Sequence, residues 1–260
     1  MWKNKNTIIV LNWKMNPPDL NDALRIFDFV REEAKNSSAT IVLCPPFIYL
    51  NAMSVKLSEK TKNAGKIKIG AQNCFWETRG AYTGEVSPVM LHNMNCEYVI
   101  LGHSERRINL YETDEMINKK IKAALNAGLK VIFCVGEHKR DENKNYLNFL
   151  KNQIKSGLSG LSPQDFKNII VAYEPIWAIS SVENSKADNP EILPLILDLI
   201  KKTILSLFSE EKNFDITILY GGSVNSANFK EFLKVDDLAG FLIGSASLNQ
   251  NELKQILENF

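Results

Sequence analysis

Eight short, β-rich apolar runs recur along the whole chain: TIIVL (7–11), TIVLC (40–44), IKIGA (67–71), YVILG (98–102), KVIFCV (130–135), NIIVAY (168–173), ITILY (216–220) and GFLIG (240–244). Most are nearly continuous in apolar residues rather than alternating with polar ones. A strand that is apolar on both faces has to be covered on both, which is the condition of a parallel strand inside an α/β fold. The intervals between runs are long enough for a crossover helix each time. Asn189, Pro190 and Glu191 form an N-cap, first-turn proline and first-turn acid ahead of a long apolar-periodic stretch. Asn225 stands in a similar place before SANFKEFL, and Gly128 after KAALNA predicts a helix stop. Eight strand–helix units in 260 residues point to one closed (β/α)8 barrel spanning residues 1–260. An open doubly wound sheet is the alternative, but it would more often carry a glycine-rich phosphate fingerprint after its first strand, and none is present.

Composition narrows the classes. A formal net charge of +1 offers no basic surface for nucleic acid and no charge bias towards a membrane surface. No apolar run is long and uncharged enough to span a bilayer. The opening MWKNKNTIIV does not resemble a secretion signal, because its apolar residues run directly into a motif. Cys44, Cys74, Cys96 and Cys134 lie far apart with no CxxC pair, which predicts buried reduced thiols and a cytoplasmic protein.

Polar residues gather where the apolar runs stop. The first run ends in Asn12, Trp13 and Lys14, the third in Gln72 and Asn73, the fourth in His103, Ser104 and Glu105. The sixth ends in Glu174, the seventh in Gly221, Gly222 and Ser223, the eighth in Gly244 and Ser245. In a barrel these ends share one face, the face on which active sites are built. Singly, each residue has a plainer reading: Lys14 as a surface cation, His103 as a core histidine, Glu174 as an ion-paired acid. Together they suit proton transfer beside a carbonyl, with an anionic group held to one side. Glu137, His138, Asp141 and Glu142 have the look of metal ligands without ligand spacing, and are expected in a solvated loop. His92 has no chemical neighbours.

Seven segments in order, NWKMN (12–16), AQNCFWETRGAYTGEVSP (71–88), GHSERR (102–107), VIFCVGE (131–137), AYEPIWAI (172–179), YGGSV (220–224) and GFLIGSASL (240–248), resemble the triosephosphate isomerases. The resemblance covers nearly the whole chain and implies a TIM barrel that interconverts dihydroxyacetone phosphate and D-glyceraldehyde 3-phosphate through an enediolate. It implies a glycolytic and gluconeogenic role and no metal or organic cofactor. A glutamate base facing a neutral histidine at a helix N-terminus is the established chemistry of that family. By resemblance, Glu174 is the base and His103 the electrophile. Lys14 offsets phosphate and enediolate charge, Asn12 donates to the substrate oxygen, and Glu105 orients these groups. Ser180, Ser223, Gly244 and Ser245 fall at the phosphate. Pro175, Ile176 and Trp177 open a lid, and Ile179 and Leu242 close over the base. The segment 73–88 resembles a loop that crosses into a second copy, with Thr83 reaching towards its site, so a homodimer is implied.

The chain departs from that pattern in three places. The glycine-free run SSVENS (180–185) follows WAI, Ser245 stands where a second glycine is usual, and Leu11 stands where a small residue is common. Losing glycine where φ must be positive would cost on the order of 1–3 kcal/mol, an expectation that covers both the run 180–185 and Ser245. Two alternatives stay open on sequence: an isomerase of another small phosphorylated sugar, and a catalytically retired dimer acting as a binding or scaffold protein.

Overall fold

A computed structural model describes residues 7–58, 66–179, 189–208 and 214–260. Each apolar run becomes a strand: β1 (Ile8–Asn12), β2 (Thr40–Cys44), β3 (Ile67–Ala71), β4 (Cys96–Leu101), β5 (Lys130–Val135), β6 (Ile169–Tyr173), β7 (Thr217–Tyr220) and β8 (Leu238–Ile243). All pair in parallel with their sequence neighbours, and β8 returns to β1 to close the barrel. The closing register sets Ile8 beside Gly240 and Val10 beside Leu242. Gly240 has φ of 149°, and a Cβ there would stand 1.9 Å from the Ile8 carbonyl oxygen. Only glycine lets the two backbones approach this closely.

Helices cover the outside: α1 (Leu20–Glu33), α2 (Phe47–Ser58), α3 (Pro88–Asn93), α4 (Ser104–Asn109), α5 (Asp114–Asn126), α6 (Asn145–Gly157), α7 (Leu193–Leu205), α8 (Phe229–Phe232) and α9 (Gln250–Leu257). Asp19, Ser87 and Thr113 cap α1, α3 and α5 by accepting a backbone N–H. Gly128 follows α5 with φ of 86° and donates to Leu125, the stop its sequence predicts. Asn189 acts one turn earlier than predicted: its side chain accepts from Glu191 in a turn that leads into α7, which itself begins at Leu193. Asn225 likewise accepts from Ala227 and Asn228 in the turn before α8.

The strands divide the core into two layers. Val10, Val42, Cys44, Tyr98, Ile100, Ile132, Cys134, Ile170, Ala172, Leu219 and Leu242 form the barrel interior. Their strand neighbours, such as Ile9, Leu11, Ile41 and Leu43, pack with the helices in the outer layer. Alternation therefore removes the concern at Leu11, whose side chain belongs to the helix-facing layer. Among the described residues no helix is long and apolar enough to cross a membrane.

All four cysteines are buried and free. Burial pushes the Cys74 and Cys96 thiols up to about 12. Cys44 and Cys134 are raised well above the ordinary range, chiefly by burial, and in Cys134 also by the Glu174 carboxylate. At pH 8 a thiol titrating near 12 is ionised in about one molecule in ten thousand, so native protein is expected to resist a thiol-specific reagent. Urea-unfolded protein is expected to react at all four sites. Because the folded state keeps protons that the unfolded thiols release above about pH 9, the thiols lower stability as pH rises from there towards 12. Urea midpoints measured across that range check the sign.

Candidate active site

The C-terminal ends of β1, β4 and β6 bring five of the predicted residues together. Asn12 is the last residue of β1, buried, and its side-chain oxygen accepts the Lys14 N–H at 3.0 Å. Lys14 has φ of 54°, a left-handed conformation uncommon for a non-glycine residue. The surroundings hold it there, since the Gln72 amide donates to the carbonyls of both Lys14 and Cys44 at 2.8 and 2.9 Å. The Lys14 ammonium meets Glu105 Oε1 at 2.6 Å.

His103 sits between β4 and α4 and caps that helix, its Nδ1 accepting the Glu105 N–H at 3.2 Å. A nitrogen that accepts carries no proton, so the ring hydrogen lies on Nε2. Nε2 is 3.2 Å from Glu174 Oε1. The other carboxylate oxygen, Oε2, accepts the Ser104 N–H at 3.3 Å at the start of α4. Glu174 is only 2% exposed and His103 6%. Gly221 flanks the carboxylate, and a Cβ there would come within 2.8 Å of Glu174 Cγ. The groups form an alternating chain from Lys14 through Glu105 and His103 to Glu174. Such a set can polarise a carbonyl and move a proton at the adjacent carbon.

The expected phosphate end is assembled from β7 and β8. Gly244 leads into a short 3-10 helix, Ser245–Leu248, and the Lys14 stem lies against it. Ser245 is exposed and is absent from the residues with positive φ, so the backbone strain expected there does not arise. Its turn is one that any residue adopts. Ser223 N–H donates to the Ala178 carbonyl at 2.8 Å and is engaged within the protein in this conformation. Ser180 and the rest of the run 180–185 lie outside the described residues.

Beyond Glu174, Pro175 precedes a single 3-10 turn, Ile176–Ala178, with Ile176 and Ile179 buried. Leu242 lies in the barrel interior beside β1. The Trp177 indole N–H donates to Glu137 Oε1 at 3.1 Å, and Tyr173 Oη donates to the same carboxylate at 2.8 Å. Arg140 adds an ion pair at 3.2 Å and sets its guanidinium 4.7 Å from the Trp177 ring. Glu137 is 1% exposed, which corrects its assignment to a solvated loop. His138 and Glu142 are exposed as expected, and no metal-ligand cluster occurs among the described residues. The signal for Glu137 was available: it follows the apolar run of β5 as Glu174 follows that of β6.

Thr83 is exposed on the loop after β3, where the Phe75 ring stacks on Trp76 at 4.1 Å and tilts against Tyr82 at 4.7 Å. Met15, Ile48 and Tyr111 are also exposed, at 93%, 78% and 82%.

Residues 7–260 match the family model described as triosephosphate isomerase. The chain belongs to the triosephosphate isomerase family. It is 42% identical to the triosephosphate isomerase of Dictyoglomus thermophilum over 257 residues, covering 98% of this chain and 100% of that one. It is 39% identical to that of Thermoanaerobacter pseudethanolicus, covering 97% and 99%. The triosephosphate isomerase of Geotalea uraniireducens is 40% identical, covering 97% and 98%. The family match extends through every strand that contributes a residue to the site.

The Glu137 knot yields a stability test. Tyr173→Phe removes one donor from a buried carboxylate and is expected to lower unfolding stability by about 1–3 kcal/mol. Urea denaturation with a common slope measures it.

Proposed function

We propose that this chain interconverts dihydroxyacetone phosphate and D-glyceraldehyde 3-phosphate, within glycolysis and gluconeogenesis in the cytoplasm. The observation that carries the reading is the buried Glu174 carboxylate, 3.2 Å from His103 Nε2 and beside the Lys14–Glu105 pair. Glu174 takes the proton from the carbon next to the carbonyl and returns it to the neighbouring carbon. His103, with its hydrogen on Nε2, polarises the carbonyl and passes a proton between the two oxygens. Lys14 offsets the charge of the enediolate and phosphate, Asn12 contributes a donor, and Glu105 holds Lys14 in place. Backbone N–H groups at Gly244 and Ser245 receive the phosphate, joined by Ser223 once it leaves the Ala178 carbonyl. Ile179 and Leu242 supply the apolar cover that excludes water from the base.

The loop that carries Phe75, Trp76 and Tyr82 supports a homodimer, since Tyr82 is exposed and Phe75 and Trp76 are only partly buried, an apolar surface that is unfavourable in water. In that assembly Thr83 reaches towards Asn12 of the partner subunit.

A coupled assay on purified protein is expected to show interconversion of the two triose phosphates and weak or no turnover of other sugar phosphates. A folded, dimeric protein without that turnover would overturn the reading. Glu174→Asp retracts the base by one methylene and is expected to lower kcat about a hundredfold or more while KM moves only a few-fold. Comparable changes in both constants would count against Glu174 as the base.

A further inference from the structure

Gln153 is an amide on α6 that is 3% exposed, among the apolar inward residues Leu150 and Ile154. A polar group in such a layer is unfavourable unless hydrogen-bonded. Its Oε1 accepts the N–H of Gly136, the residue just past β5, at 2.9 Å. That N–H belongs to the same peptide unit as the Val135 carbonyl. In a trans peptide the two point in opposite directions, so fixing one orients the other.

The Val135 carbonyl accepts the N–H of Glu174 at 2.8 Å, and the carbonyl two residues on, that of Glu137, accepts Ile176 N–H at 3.0 Å. The β5–β6 ladder thus continues beyond the strands and straps the segment bearing Glu174. Between these two bonds Gly136 touches the Glu174 backbone directly. A Cβ at 136 would fall 1.8 Å from the Glu174 carbonyl oxygen and 2.5 Å from its carbon. The base therefore rests on a bare peptide whose orientation is set from the opposite side by a helix outside the barrel.

We propose that Gln153 is a positioning residue for Glu174, acting through the Val135–Gly136 peptide. The proposal rests on the assignment of Glu174 as the base. Gln153 touches neither substrate nor the reacting atoms. It aims the Val135 carbonyl, and the carbonyl in turn holds the backbone from which the Glu174 side chain projects. Misplacing a reacting group by about 1 Å costs on the order of a hundredfold in rate, and a loosened strap displaces it by less.

Gln153→Met keeps the length of the side chain and removes its strong acceptor. It is expected to lower kcat about tenfold per folded molecule, with KM within about twofold of wild type. Amide hydrogen exchange gives a readout independent of turnover: the Glu174 and Ile176 amides are expected to exchange faster relative to those of Ile9 and Val10 in β1. Gly136→Ala, where it folds, is expected to produce a larger loss of kcat in the same direction. A Gln153→Met protein that is uniformly less stable, yet keeps wild-type kcat and the wild-type ratio of exchange rates, would overturn the proposal. An inactive wild-type enzyme would count against the assigned reaction, and the exchange ratio would still decide for or against the strap.

Discussion

Gly240 lies against the Ile8 carbonyl, and through that contact β8 closes on β1. Eight strands are thereby held in one ring, with their C-terminal ends on a single face. Asn12 at the end of β1 and Gly244 just past the end of β8, at nearly opposite ends of the sequence, are thereby brought to the ends of adjacent strands. His103 and Glu174, brought from β4 and β6, meet across the mouth of the barrel. Buried residues of the barrel interior, Val10, Ile100, Ile132 and Ala172 among them, form the floor on which the site stands.

On that floor the charged groups are arranged for orientation more than for stability. Lys14 and Glu105 are partly exposed, and a pair in that setting contributes little to folding. What the pair does is fix the ammonium at the site while Asn12 and Gln72 hold the Lys14 backbone at positive φ. Strain of this kind, on the order of 1–3 kcal/mol, persists only where the surroundings over-determine it. The buried Glu137 carboxylate plays a comparable part for the segment after the base, collecting donors from Tyr173, Trp177 and Arg140. Gln153 adds a third restraint from outside the barrel. Three separate elements thus converge on the few residues around Glu174.

Much of this was legible in the chain. The apolar runs marked every strand, because a strand covered on both faces has nowhere to place a polar side chain. Asn12, His103 and Glu174 stood out because each was the first polar group after such a run, with Lys14 and Glu105 two residues behind the first two. Glu137 satisfied the same rule, and the charged stretch that follows it suggested a solvated loop instead. Its partners Tyr173 and Trp177 lie far along the sequence, so the burial of its carboxylate was not visible there. Asn189 was recognisable as a turn-forming residue, but whether that turn joins a helix or precedes it depends on packing. The strain expected at Ser245 was a matter of backbone dihedrals, which residue type alone does not reveal.

The sequence by itself determined the alternation of buried strands and covering helices, and the order of polar groups at the strand ends. It did so because periodicity and residue chemistry are local properties. The tertiary structure alone decided that Nδ1 of His103 is an acceptor, that Ser245 is unstrained, that Leu11 faces the helices, and that a helix amide steadies the peptide under Glu174. The His103 contact depends on the backbone turn that carries the chain from β4 into α4, and the surroundings of Leu11 and Gln153 depend on which elements pack together; residue type alone fixes none of these.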